Sequence, residues 1–267
     1  MNNDLFYKQG NKYILTDLGL QTLIQDYNLG YSQIKLTKKF EVSEDTIRHW
    51  MKENNIPTRK RKYKINEDYF QDLKENEFEK AYWLGFLSAD GYVNNQRGEL
   101  QLELQESDNL HLEKFKKAIE CNKPLMEIHC GDKKQFLHWR FVIKCKKMTE
   151  DLKQYNIIQN KSLIFEPPQL PSSLIPYWIL GYMDGDGCIY ESKGRLKMSF
   201  AGTKKTLEFI REYLHSTNKI ILARGCENTY SYTAEVQIGE DFLKKFEYNK
   251  LPFVLNRKQQ RYCSFIQ

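Results

Sequence analysis

The chain has 267 residues and a mass of 31.9 kDa, with 40% hydrophobic, 13% aromatic and 28% charged residues. That is one large domain or two to three small ones with a sizeable core, and it excludes a disordered chain. No run approaches eighteen apolar residues, and the opening MNNDLFYKQG lacks a basic segment followed by an apolar one. Neither a membrane span nor a secretion signal is expected. The six cysteines (Cys121, Cys130, Cys145, Cys188, Cys226, Cys263) form no CxxC pair. Tetrathiolate zinc and a disulfide framework are therefore not expected, and reduced thiols in a cytosolic protein are. Net charge is +6, and residues 1–66 hold 12 Lys+Arg against 7 Asp+Glu. A basic segment beside a near-neutral body suggests a polyanion partner.

Residues 17–56 read as three short helices. Leu18, Leu20, Leu23, Ile24 and Tyr27 form an apolar stripe that closes at Asn28-Leu29-Gly30. Ser32 caps a second helix carrying Ile34, Leu36 and Phe40. A tight turn at Glu41-Val42 leads to Ser43, the N-cap of a third helix. That helix buries Ile47, Trp50 and Met51 and turns Glu44, Asp45, Arg48, His49 and Lys52 outward. The stretch YSQIKLTKKFEVSEDTIRHWMKENNI resembles the helix-turn-helix modules of DNA-binding regulators. The resemblance implies a small all-α domain over residues 1–58 that offers Arg48, His49 and Lys52 to DNA. An ordinary three-helix bundle is the competing reading. The run Arg59-Lys60-Arg61-Lys62-Tyr63-Lys64 favours DNA, with Arg59 and Arg61 on phosphates or in the minor groove; it opens a basic linker over 59–75.

The remainder contains an internal repeat. Trp83-Leu84-Gly85-Phe86-Leu87-Ser88-Ala89-Asp90-Gly91 is echoed by Ile179-Leu180-Gly181-Tyr182-Met183-Asp184-Gly185-Asp186-Gly187, an offset of 96 residues. The same offset carries Leu100, Leu102 and Leu104 onto Leu196, Met198 and Phe200, and Lys161 onto Arg257. Matching offsets in helix, strand and basic loop indicate duplication. Each copy reads as helix, hairpin, helix, hairpin, helix. The last strand of the second copy is expected to alternate Tyr232, Ala234, Val236 and Ile238 with Thr233, Glu235 and Gln237. The halves are placed at 76–165 and 176–267, joined by a proline-rich linker at 166–175.

Two features break local rules twice, at equivalent points. Asp90 and Asp186 end apolar helices, where partial negative charge disfavours a carboxylate by about 1 kcal/mol or less. A bound cation is the simplest compensation. The following glycines suit a C′ position with φ > 0. Gly85 and Gly181 lie in mid-helix, each at a cost of roughly 1 kcal/mol. If the two helices touch there, Asp90 and Asp186 converge, and a divalent ion with a taste for oxygen, Mg²⁺ or Mn²⁺, would relieve their repulsion. A plain Asp-Gly turn is the competing reading.

The segments WLGFLSADG (83–91) and ILGYMDGDG (179–187) resemble the two signature motifs of the LAGLIDADG homing endonucleases. That resemblance implies an α/β (α+β) fold of two pseudo-symmetric halves with curved antiparallel sheets, the motif helices at the centre. It implies Mg²⁺-dependent cleavage of double-stranded DNA at a long asymmetric site, as in intron homing, by a monomeric pseudo-dimer without a small-molecule cofactor. By position it implies that Asp90 and Asp186 hold the metal, with any backbone contribution near position 89 left open. Gln105 would order water, and Lys161 with Arg257 or Lys258 would supply the catalytic cations. Ser88 departs from the pattern at a position that is not usually catalytic, and Ala201 stands where the counterpart of Gln105 would be, so the half-sites should not be equivalent. The outward strand residues Gln101, Gln105, His138, Arg140, Arg195, Lys197 and Gln237 would meet DNA, while Glu103 and Glu235 would accept from bases or tune specificity. A non-cleaving regulator or an RNA-splicing maturase on the same scaffold is the alternative. A cytoplasmic, nucleoid-associated protein, or one encoded by a phage or organelle, is the expected setting.

Overall fold

The computed structural model describes residues 4–57, 63–131 and 135–266, in two compact units, Met1–Lys62 and Tyr63–Gln267. In the first unit a hairpin, β1 (Phe6–Gln9) and β2 (Lys12–Leu15), precedes three helices: α1 (Asp17–Asn28), α2 (Gln33–Phe40) and α3 (Glu44–Glu53). Thr16, Ser32 and Ser43 cap them by accepting from Gly19 N, Lys35 N and Thr46 N. Glu41 makes the α2–α3 turn with φ +53°.

The unit is therefore not all-α, which corrects the sequence expectation. Gly10-Asn11, between β-prone residues, turns the chain, and Gly10 takes φ +61°. Leu5, Phe6 and Leu15 then pack on the core of Leu23, Tyr27, Leu36, Phe40, Ile47, Trp50 and Met51. The Trp50 indole donates to the Tyr13 carbonyl at 2.8 Å. Leu18, Ile24 and Ile34 are exposed, because the hairpin and helices cover a narrower stripe than the leucine count suggested.

The second unit begins its first half with α4 (Phe78–Asp90), β3 (Tyr92–Asn94), β4 (Glu99–Gln105), α5 (Asn109–Ala118), β5 (Met126–Cys130), β6 (Phe136–Lys144) and α6 (Lys146–Lys153). The second half follows with α7 (Ile175–Asp186), β7 (Gly187–Ser192), β8 (Arg195–Gly202), α8 (Lys204–Tyr213), β9 (Ile221–Leu222), β10 (Tyr230–Thr233), α9 (Val236–Lys245) and α10 (Asn256–Ile266). The sheets run β3-β4-β6-β5 and β7-β8-β10-β9, each antiparallel, so the second unit is a mixed α/β fold of two halves built in one order. Leu100 and Leu102 in one half, and Leu196, Met198 and Phe200 in the other, are buried; their neighbours in sequence face outward.

The expected strand over 232–238 is corrected. β10 ends at Thr233, and the chain turns into α9, which buries Gly239, Phe242 and Leu243. Four alternating residues at 232–238 fit a strand, yet the i, i+3, i+4 stripe that follows is longer and wins. Glu235 seals the junction by accepting from Thr217 N at 2.8 Å, Asn218 N at 3.0 Å and the Ser216 hydroxyl.

α4 and α7 form the centre of the second unit. A Cβ on Gly85 would lie 1.9 Å from the Trp178 carbonyl oxygen, and one on Gly181 would lie 1.9 Å from that of Tyr82. Only glycine permits backbones this close. Among the described residues no helix is long and apolar enough to cross a membrane.

A candidate carboxylate pair at two helix ends

α4 and α7 finish side by side, each on an aspartate. A Cβ on Gly185 would stand 2.4 Å from Ala89 Cβ and 3.4 Å from Asp90 Oδ2, so the residue before Asp186 already touches the Asp90 neighbourhood. Both aspartates are open to solvent on their outer side. Crowding on the inner side, then the negative charge of Asp186, push the Asp90 carboxyl up to about 6, against the pull of Lys258 and Lys161. The Asp186 carboxyl is likewise raised by crowding and lowered by the same two lysines. Gly91 and Gly187 follow with φ −73° and −115°, so the expected positive φ is corrected. The need is for space: a Cβ on either would sit 2.5 or 2.6 Å from the carbonyl oxygen of Leu87 or Met183.

Two buried lysines close the helix ends from within. Lys161 Nζ donates to the carbonyls of Ala89 at 3.2 Å and Gly91 at 2.7 Å. Lys258 Nζ donates to Met183, Asp184 and Gly187 at 2.6, 2.7 and 2.6 Å. Burial lowers the pKa of both ammoniums, and the aspartates oppose it. The cation that offsets the dipole at each helix end is thus already part of the chain. Lys258 takes the place on α7 that Lys161 takes on α4. Arg257 turns away and forks onto Asp108, with Nε at 3.3 Å from both oxygens and Nη2 at 3.0 Å from Oδ2. Gln105, at the end of β4, also donates to Asp108 Oδ2 at 3.1 Å. A cleft of about 260 Å³ opens beside Asp186, lined by Lys161, Ser162, Tyr182, Gly202 and Thr203 among others.

Asp184 is buried and accepts from Tyr82 OH at 2.6 Å, Tyr248 OH at 2.7 Å and Leu255 N at 2.9 Å. Burial raises its carboxyl. The Tyr82 hydroxyl also lies 3.2 Å from His111 Nε2, in a pocket where burial keeps the imidazole neutral. Lys114 braces the same segment, donating to the Val254 carbonyl and to Asn256 Oδ1, both at 2.6 Å. The partners of Asp184, together with Lys114 and Asp108, lie outside the signature motifs. Only the one-residue ambiguity at 257–258 touched this group in the sequence.

On the outer face of the first-half sheet, Gln101, Glu103 and Gln105 of β4 share a side with His138 and Arg140 of β6, where Glu103 pairs with Arg140 and Gln105 with His138. Glu103 Oε2 accepts from Arg140 Nε at 2.8 Å, and His138 Nδ1 lies 3.2 Å from Oε1. Burial alone would raise the Glu103 carboxyl, but the bonds from Arg140 and His138 hold it below the usual range. On the second-half sheet Arg195 and Lys197 point outward along β8, and Arg195 Nε is 3.7 Å from Glu240. Gln237 and Glu235 are corrected out of the sheet face. Gln237 lies on α9, bonded to Asp241 at 2.9 Å, and against the upward push of burial the donors at Ser216 and Thr217 pull the Glu235 carboxyl down to about 2. In the first unit Arg48 pairs with Glu44 at 2.5 Å and Asp45 at 3.0 Å, and His49 with Glu53 at 3.0 Å; Lys52 is exposed on the same helix. Arg59 and Arg61 lie outside the described residues.

No protein-family model matches the sequence, and no curated protein does. Among solved structures the chain is similar to the LAGLIDADG meganuclease I-AabMI bound to uncleaved DNA, at 13% identity and TM-score 0.45 over 69% of this chain and 88% of that one. It is similar to the LAGLIDADG homing endonuclease I-LtrWI bound to target DNA, at 15% identity and TM-score 0.46 over 71% and 89%. It is also similar to full-length DUF199/WhiA from Thermotoga maritima, at 15% identity and TM-score 0.45 over 75% and 64%. Resemblances this distant concern backbone arrangement and not activity.

Proposed function

We propose that the second unit is a metal-dependent DNA endonuclease of the LAGLIDADG type, making a staggered double-strand break in a long asymmetric target. The observation that carries this reading is the pair of solvent-facing carboxylates at the touching ends of α4 and α7, with Asp90 pushed up to about 6. Lys161 and Lys258 offset the helix dipoles through the end carbonyls, but the two carboxylates still repel each other, and a shared divalent cation would relieve that repulsion.

The donor set is all oxygen and open on one side, which suits a hard divalent cation, Mg²⁺ or Mn²⁺, held by Asp90 and Asp186. Such an ion lowers the pKa of bound water and stabilises charge on the attacking and leaving oxygens. Lys161 and Lys258 keep the helix ends in place and lend positive charge beside the carboxylates, which favours a phosphate there. Asp184, Tyr248 and Leu255 fix the segment that delivers Lys258. Gln105, Asp108 and Arg257 form a bonded group on the first-half side, where the second half has Ala201 and Lys204 at the equivalent positions. The two strands of DNA are therefore cut at unequal rates. Gln101, His138, Arg140, Arg195 and Lys197 face the duplex, and the first unit binds DNA through Arg48, His49 and Lys52 of α3.

The experiment is incubation of the chain with duplex DNA made by joining the sequences that flank its gene, with Mg²⁺ or with chelator. The expected result is binding in both conditions and a double-strand break with Mg²⁺ alone. Tight binding without a break under any divalent ion overturns the nuclease and leaves a binding protein.

A further inference from the structure

We propose that Glu103, Cys130 and His138 form a transition-metal site on the outer face of the β3-β4-β6-β5 sheet, with Zn²⁺ the ion their donors suit. Glu103 comes from β4, Cys130 is the last residue of β5, and His138 lies on β6 between them. The register sets His138 opposite Gln105 on one side and Ile128 on the other, which makes Glu103 and Cys130 its diagonal neighbours. One donor atom from each of the three lies within 4.8 Å of the others.

Two of the three donor separations come close to those of a metal's ligands. Cys130 Sγ is 3.6 Å and His138 Nδ1 is 3.2 Å from one oxygen, Glu103 Oε1. With zinc bonds of about 2.0–2.3 Å, neighbouring donors of a tetrahedron stand about 3.4–3.6 Å apart. The other oxygen, Oε2, carries Arg140 at 2.8 Å from Nε and 2.7 Å from Nη2. Arg140 thus orients the carboxylate without occupying the donor atom, the part outer-shell partners play around metal sites. All three residues are half-buried, so an ion can enter and water can complete the tetrahedron.

Binding balances simply. The Cys130 thiol loses its proton to solvent as the S–Zn bond forms. The His138 proton moves from Nδ1 to Nε2, freeing Nδ1 as donor, and Glu103 is already ionised. One proton leaves per ion, and the 2+ charge meets two negative ligands. Thiolate and imidazole exclude Mg²⁺, so this site and the all-oxygen carboxylate pair would sort different metals. It would pin three strands of the sheet, and it stands whether or not the chain cleaves DNA.

The test uses the full chain, stripped of metal by a chelator that is then dialysed away. Co²⁺ is added and followed by its thiolate charge-transfer absorption, then displaced by Zn²⁺ in a calorimeter run in two buffers of different ionisation enthalpy. The expected result is one zinc per chain at micromolar affinity or tighter, with one proton released per ion. Millimolar Mg²⁺ should not displace it. Cys130→Ser abolishes the charge-transfer band, and Cys130→Ser and His138→Ala each weaken zinc by at least about tenfold. Cys226→Ser, which removes an exposed thiol elsewhere, changes neither. Absence of stoichiometric binding overturns the proposal, and so does a cobalt band that survives Cys130→Ser.

Discussion

The ends of α4 and α7 carry the same Asp-Gly pair and are secured differently. Lys161 reaches two carbonyls at the first, and Lys258 reaches three at the second. Ser88 donates to the Leu84 carbonyl of its own helix at 2.7 Å and accepts from the Trp178 indole of α7 at 3.3 Å, whereas Asp184, its equivalent 96 residues on, gathers groups from three other segments. The elements common to both ends are the mid-helix glycine, the terminal carboxylate and the buried lysine. Those are the parts a pair of helices needs in order to bring two acids together. The surroundings are free to diverge once the pair is fixed, and they have done so most around the second end.

The largest effect expected on this comparison comes from the shared element. Gly85→Ala or Gly181→Ala places a methyl 1.9 Å from a backbone oxygen and forces the helices apart. Either variant should lose about 3 kcal/mol or more in denaturant unfolding, at the upper end for overpacked cores. Equal losses at both positions would support the symmetry of the contact.

The next variants separate the two ends. Asp184→Ala strands the Tyr248 hydroxyl and the Leu255 amide in the interior and leaves the Tyr82 hydroxyl only His111, and should cost about 3–5 kcal/mol. Ser88→Ala removes a bond to a carbonyl of its own helix and leaves the buried Trp178 indole N–H unpaired, and should cost about 1–2 kcal/mol. Similar costs, measured by thermal unfolding of both, would break the contrast.

The carboxylates themselves predict a pH signature. A carboxyl whose proton is held more tightly in the fold than in the open chain makes the fold less stable as pH rises. For Asp90 the window runs from its ordinary 3.8 to about 6. The metal-free protein should lose stability across that window, by an amount that solvent access keeps small, and Mg²⁺ should restore it above about pH 6. Melting curves with and without Mg²⁺ at several pH values check both signs. Smaller still is the effect of Arg257→Gln, which releases Asp108 and should slow the cut of one DNA strand more than the other, read as accumulation of nicked plasmid.

Much of this was legible in the sequence. The 96-residue offset reproduced the order of helices and hairpins because apolar periodicity records burial directly. Mid-helix glycine twice over pointed to a helix contact because nothing else offsets its cost. What stayed hidden depended on contacts between distant residues. Spacing could not choose between Arg257 and Lys258, since one extra residue in the second half shifts the register of a loop. The lysines read as phosphate ligands from the family resemblance, and their bonds to helix carbonyls appear only in the fold. Cys130 and His138 show no metal spacing along the chain and become neighbours across β5 and β6. The hairpin at 6–15 and the start of α9 were missed because four-residue strands leave too little pattern to weigh.

The most direct measurement is strand cleavage by Asp90→Asn and Asp186→Asn on the joined flanking DNA, with binding followed in parallel. Binding should be unimpaired, the double-strand break should fall by about a hundredfold or more in each variant, and the fold should be at least as stable as the parent without metal. A variant of either aspartate that still severs both strands at the parental rate would contradict the proposed metal role.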